Sequence, residues 1–126
     1  MSGETILIVE DNPVNRKLFF TVLKQHGFRL LTANDGEEAL AVARQELPNL
    51  ILMDLQLPKV NGFSVTQQLK ETPETSGILV VALTAHAMPE EREHAREVGF
   101  DGFITKPIDT RAFPRQVREV LDHARK

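Results

Sequence analysis

The apolar residues of this chain fall into short dense runs separated by longer segments of helical period. The runs cover residues 6–9, 29–33, 50–53, 78–83 and 102–105. Three are nearly continuous aliphatics, the pattern of parallel strands covered on both faces. Between the first two, Asn12 is placed to cap a helix with Pro13 at its first position, where a missing N–H matters least. Val14, Leu18 and Val22 then recur every four residues as an apolar stripe, and Gly27 supplies a stop. Asn34 with Glu37 resembles a capping box ahead of Ala39, Leu40, Ala43 and Leu47, with Pro48 after them. A third helix is expected over residues 62–70, ending before Pro73, and a fourth over residues 89–98, with Gly99 after it. Asp109 is a candidate cap for a fifth helix with Phe113, Val117, Val120 and Leu121 on its inner face.

Five strands alternating with five helices predict a three-layer α/β fold: a (βα)5 doubly wound parallel sheet with right-handed crossovers and helices on both faces. Pro114 would remove a backbone bond to the Thr110 carbonyl, so the fifth helix should kink or start late. The fourth helix offers chiefly Met88, Ala95 and Val98 to a core, which predicts weak anchoring and easy displacement.

Composition narrows the function more than the fold. A length of 126 residues fits one domain, 1–126, able to bury about two-thirds of its unfolded surface. A formal charge of -3 provides no basic field, so no direct nucleic-acid partner is expected. No apolar run approaches bilayer length and the N-terminus lacks a secretory pattern, so membrane insertion is not expected. The absence of cysteine excludes disulfides, thiolate zinc sites and cysteine nucleophiles. The expected location is cytoplasmic.

In an open parallel sheet, ligands sit beyond the carboxyl ends of the strands. Read as one set, those ends are chemically unusual. The first strand runs into Glu10 and Asp11, the third into Asp54, the fourth into Thr84 and the fifth into Lys106. Three crowded carboxylates would raise one another's pKa unless a cation intervenes. An oxygen-only ligand set without cysteine or a histidine pair suits a hard divalent ion, and Mg2+ fits best. Such an ion would let a phosphoryl group approach Asp54, with Lys106 offsetting charge and Thr84 donating a hydrogen bond. A carboxylate can itself act as nucleophile and form an aspartyl phosphate.

The segments "ILIVEDN", "LILMDLQLP" with Gly62 following, "VVALTA" and "FITKP" together resemble the receiver domain of bacterial two-component response regulators, from about Thr5 to Leu121. "LTAHAM" adds a likeness to single-domain, DivK-type receivers of phosphorelays. The resemblance implies the flavodoxin-like strand order 2-1-3-4-5. It implies Asp54 as phosphoacceptor, and Glu10, Asp11, Asp54 and the Gln56 backbone carbonyl as Mg2+ ligands. It further implies Thr84 and Lys106 as phosphoryl-contacting residues, a cis Lys106–Pro107 bond, and Phe103 at an aromatic switch position often held by tyrosine. Expected partners are a histidine kinase or histidine phosphotransfer protein upstream and a protein target downstream. The target would be reached through the face formed by the fourth helix, fifth strand and fifth helix. Such a protein is a signalling switch rather than an enzyme, although it promotes its own phosphorylation and dephosphorylation.

Blander roles stand beside these. Asp11 also suits a helix start, Phe103 plain core packing, and Glu90, Glu91 and Glu93 a solvated helix face with favourable end charges. His26, His94 and His123 are expected on solvated helix surfaces, while His86 is expected at the site's rim, where it and Gln56 would tune water access. A flavin carrier is disfavoured because "EDNP" would repel a phosphate, and an aspartate phosphohydrolase because no Asp-x-Asp follows the first strand. Two alternatives remain: a receiver module of a hybrid kinase, and a receiver-like binding module working without phosphorylation. Residue 126 follows the fifth helix so closely that a stand-alone regulator without an output domain is expected.

Overall fold

A computed structural model describes residues 3–56, 61–85 and 88–124. The chain alternates strand and helix throughout: β1 (Thr5–Val9), α1 (Pro13–Lys24), β2 (Arg29–Ala33), α2 (Gly36–Glu46), β3 (Leu50–Asp54), α3 (Gly62–Glu71), β4 (Leu79–Thr84), α4 (Pro89–Val98), β5 (Gly102–Thr105) and α5 (Phe113–Ala124). All four strand pairings are parallel, and the sheet order is β2-β1-β3-β4-β5, as expected.

Alternation along the buried strands divides the core in two. Ile6, Ile8, Leu50, Leu52, Val81 and Leu83 point to one face, where Phe19 and Leu23 of α1 and Phe113, Val117 and Leu121 of α5 cover them. Leu7, Val9, Ile51, Met53 and Val80 point to the other, under Ala39 and Ala43 of α2 and Val65 and Leu69 of α3. Strands buried on both faces cannot show the polar alternation of a half-exposed sheet, which is why β1, β3 and β4 read as unbroken aliphatics. Helix α4 contributes a single buried residue, Ala95, and its Met88 cap position is exposed, in keeping with weak anchoring.

Several local details differ from the sequence pattern. On α1 the covered side is carried by Phe19 and Leu23, whereas Val14 is 75% and Leu18 40% exposed. Val14 and Leu18 thus mark a solvent-facing line beside the true core face, while Val22, the last of the stripe, is half-buried and packs against the core. The α2 cap lies one residue later than expected: Asp35 accepts the Glu38 N–H, while Glu38 reaches back to the Asn34 N–H. Leu47 closes that helix in a left-handed conformation at φ 48° and is exposed rather than packed inside. Asp109 accepts the N–H groups of Arg111 and Ala112 in a turn, and α5 begins only at Phe113. That late start leaves Pro114 in the first turn, where its missing N–H breaks no helical bond. Asn12 accepts from the N–H groups of Val14 and Asn15, so the α1 start is as expected.

Candidate functional site

Strand register delivers the polar set to one edge. Val9 lies level with Met53, Asp54 with Leu83 and Thr84 with Thr105, so the residues following or closing β1, β3, β4 and β5 emerge side by side. Glu10 and Asp54 are 1% and 2% exposed and Thr84 is fully buried, whereas Asp11 is exposed. One oxygen from each of Glu10, Asp11 and Asp54 can be brought within 4.8 Å of the others, a grouping able to hold a cation.

Lys106 sits between the two buried acids. Its Nζ lies 3.2 Å from Glu10 Oε1 and 3.2 Å from Asp54 Oδ2. The other Asp54 oxygen, Oδ1, accepts the Gln56 N–H at 2.9 Å. Glu10 Oε2 accepts the Asn12 N–H at 3.2 Å, and the Glu10 carbonyl accepts from Arg16 Nη1 at 3.0 Å. One ammonium does not balance two buried carboxylates. Burial pushes the Glu10 carboxyl up from about 4.5 to about 7; its hydrogen bond to Asp54 and the Asp54 charge add to the rise, and Lys106 opposes it. Crowded, oxygen-only and short of positive charge, this donor set fits a hard divalent cation.

Gly62, at the start of α3, lies against the acceptor strand. A Cβ there would sit 2.9 Å from the Asp54 carbonyl oxygen and 3.1 Å from side-chain atoms of Leu55 and Met53. The Lys106–Pro107 peptide is cis.

A hydrogen-bonded chain leads away from the acids. Gln56 Nε2 donates to Thr84 Oγ1 at 2.8 Å, and Thr84 Oγ1 donates to Glu91 Oε1 at 2.8 Å. Glu91 is therefore half-buried and engaged with Thr84, contrary to its reading as part of a solvated helix face. Only Glu90 and Glu93 stand exposed. Sequence spacing could not find this contact, because it depends on how α4 docks beside the end of β4. Gln56, read from the sequence as tuning water access, also donates its side-chain amide to Thr84, a contact its position alone did not suggest.

Phe103 belongs to neither buried cluster. Half-exposed on β5, its ring lies 4.8 Å from the Arg92 guanidinium of α4, so plain core packing does not describe it. His26, His94 and His123 are exposed, and the His94 ring also packs on Phe63 at 4.5 Å between centroids. His86 and Pro58 lie outside the described residues.

Comparison with known proteins follows the same line. The family model described as response regulator receiver domain matches residues 6–118. The polar-differentiation response regulator DivK of Brucella anthropi is 40% identical over 121 residues, covering 96% of this chain and 98% of the relative. The chemotaxis response regulator CheY4 of Vibrio cholerae superposes with a TM-score of 0.89 at 25% identity, over 94% of this chain and 99% of its own. The receiver domain of a sensor histidine kinase from Pseudomonas aeruginosa PAO1 superposes with a TM-score of 0.87 at 30% identity, over 96% of this chain and 99% of that domain. That structure holds a magnesium ion coordinated in its active-site cleft.

Proposed function

Because this chain belongs to the response regulator receiver domain family, we propose that it takes a phosphoryl group onto Asp54 from the phosphohistidine of a histidine kinase or phosphotransfer protein. The observation that carries this reading is the Asp54 carboxylate, held at a buried strand end between the Gln56 N–H and the Lys106 ammonium. Rigid sheet backbone fixes the nucleophile, which removes the orientational cost of attack. As an Asp54 oxygen bonds to phosphorus, the P–N bond to the donor histidine breaks and the imidazole keeps the electron pair. Lys106 offsets charge on the phosphoryl oxygens, and Thr84 turns to donate its hydroxyl proton to one of them.

Glu10, Asp11, Asp54 and the Gln56 carbonyl would hold Mg2+, which when bound supplies positive charge against the phosphoryl oxygens. The donor protein has an apolar landing beside the site. Exposed Leu18 lines a cleft of about 270 Å3 with Phe19, Ala85, Lys106, Pro107 and Ile108, and Val14, also exposed, stands one turn earlier on α1, a surface suited to apolar side chains of a partner.

The phosphoryl group adds a charge of about -1.5 to -2 that demands new donors. Once Thr84 has turned inward, the loop after β4 follows. Phe103 leaves the Arg92 guanidinium for the vacated space, and the α4-β5-α5 face changes shape for a downstream protein. This is a population shift of a two-state element biased by a local charge event.

Incubation with Mg2+ and acetyl phosphate or a phosphohistidine donor tests the reading. One acid-stable, base-labile phosphate per chain is expected, and none in Asp54→Asn. A wild-type chain that gains no phosphate from either donor would refute it, leaving the phosphorylation-independent binding module.

A further inference from the structure

Thr84 Oγ1 has one proton, and Glu91 Oε1 holds it at 2.8 Å while Gln56 Nε2 donates to the hydroxyl oxygen from the other side. We propose that Glu91 is a positioning residue that opposes phosphorylation, by competing with the phosphoryl group for the Thr84 hydroxyl proton. The proposal rests on the phosphoacceptor reading of Asp54 and adds a residue to it.

The competition follows from valence. A hydroxyl has a single O–H and cannot donate at full strength to a carboxylate and to a phosphoryl oxygen at once. The bond to Glu91 is charge-assisted and buried at the Thr84 end, so it is among the stronger kinds of hydrogen bond. Turning Thr84 toward Asp54 breaks it and leaves a half-buried carboxylate without that donor, closer to a newly arrived anion. Two costs, a lost donor and a like charge, therefore act against the phosphorylated state through one side chain. The connection is mechanical as well as electrostatic. Glu91 stands in the first turn of α4, an element that buries only Ala95 and has no side-chain hydrogen bond from its Met88 cap. On a helix so weakly held, one strong bond to the sheet edge biases the position of the whole N-terminal turn. The same chain reaches the nucleophile through Gln56, whose N–H bonds Asp54 Oδ1 and whose side chain bonds Thr84. Occupancy at Asp54 and the seat of α4 are thus coupled through three residues.

Beryllofluoride with excess Mg2+ stands in for the phosphoryl group in the test, with affinity read by titration calorimetry on the full chain. Glu91→Ala is expected to bind about three- to tenfold more tightly than wild type, the span implied by one net hydrogen bond. Glu91→Gln keeps a neutral acceptor and should fall between them, which also serves if the alanine variant folds poorly. Glu90→Ala removes a neighbouring first-turn charge without touching Thr84 and should leave the constant near wild type. In a Thr84→Val background, the Glu91→Ala gain should shrink to the part owed to the like charge alone, because the hydroxyl that the two acceptors compete for is gone. An unchanged or weaker constant in Glu91→Ala, or an equal gain from Glu90→Ala or in the Thr84→Val background, overturns the proposal while the phosphoacceptor reading stands. Failure of the wild type to bind beryllofluoride overturns both.

Discussion

Glu10 shows how a single buried acid can set the pH response of the whole molecule. Its folded value of about 7 lies above the ordinary 4.5, so between these values the native state keeps a proton that the unfolded chain has released. Its contribution is fully present below about 4.5 and is lost as pH rises through 7. Glu10→Gln retains the shape without the charge. In chelator at pH 8, its denaturant melts should show a gain on the order of 2 kcal/mol over wild type, with the gap closing toward pH 5; equal stabilities at pH 8 would contradict the account. Gly62 makes a second residue-scale prediction. Alanine is normally the better helix former by about 1 kcal/mol, yet a methyl here would press on the Asp54 carbonyl at 2.9 Å. Gly62→Ala should therefore destabilise by about 1–3 kcal/mol in urea melts and slow phosphorylation by acetyl phosphate. The residue types of the site (acids, threonine, lysine) were legible because each stands at the end of an apolar run. Glu91 was not: three glutamates near a helix start look alike until one is brought against Thr84.

Among the elements, α1 shows where periodicity misleads. Val14, Leu18 and Val22 obey a four-residue repeat, but only Val22 reaches the core margin while Phe19 and Leu23 bury, because the α1 face is set by where Ile6, Ile8 and Phe113 leave room. The Phe19 and Phe113 rings meet at 5.4 Å. Leu23→Ala should cost about 2–5 kcal/mol, while Leu18→Ala should stay within about 0.5 kcal/mol. Leu18→Ala should instead slow transfer from a phosphodonor protein and spare transfer from acetyl phosphate, because only the protein uses the exposed line. The reverse pattern, measured by urea melts and paired transfer rates, would return Leu18 to the core. Strands β2 and β5 and helices α3 and α4 matched their sequence limits to within a residue, since each is bounded by Gly or Pro or by a sharp change of period. Cap positions were less legible. Asp35 outcompetes Asn34 for the α2 cap, and Asp109 holds a turn ahead of α5, because neighbouring Asx residues are equivalent until the backbone chooses one.

Across the whole molecule, the residues proposed to hold Mg2+ follow or close two strands, β1 and β3, far apart in sequence, so binding there would report on the folded sheet. A cation held by the native state alone stabilises it by about 2.7 kcal/mol at a hundredfold excess over Kd. Mg2+ should raise Tm, and more at pH 8 than at pH 6, because protons on Glu10 compete with the metal below its value of about 7. Asp11→Asn should remove most of that rise, and an Mg2+ response of wild-type size in this variant would exclude Asp11 as a ligand. No helix among the described residues is long and apolar enough to cross a membrane. The alternation of aliphatic runs with helical segments was sufficient by itself to determine a parallel three-layer sheet, because only strands covered on both faces tolerate such runs. It also determined which residue types close those strands. Tertiary structure alone decided which side of α1 faces inward, that Arg92 covers Phe103, and that Glu91 shares a proton with Thr84. These are contacts between elements distant in sequence or joined by loops, and their geometry arises only when strand register and helix docking are satisfied together.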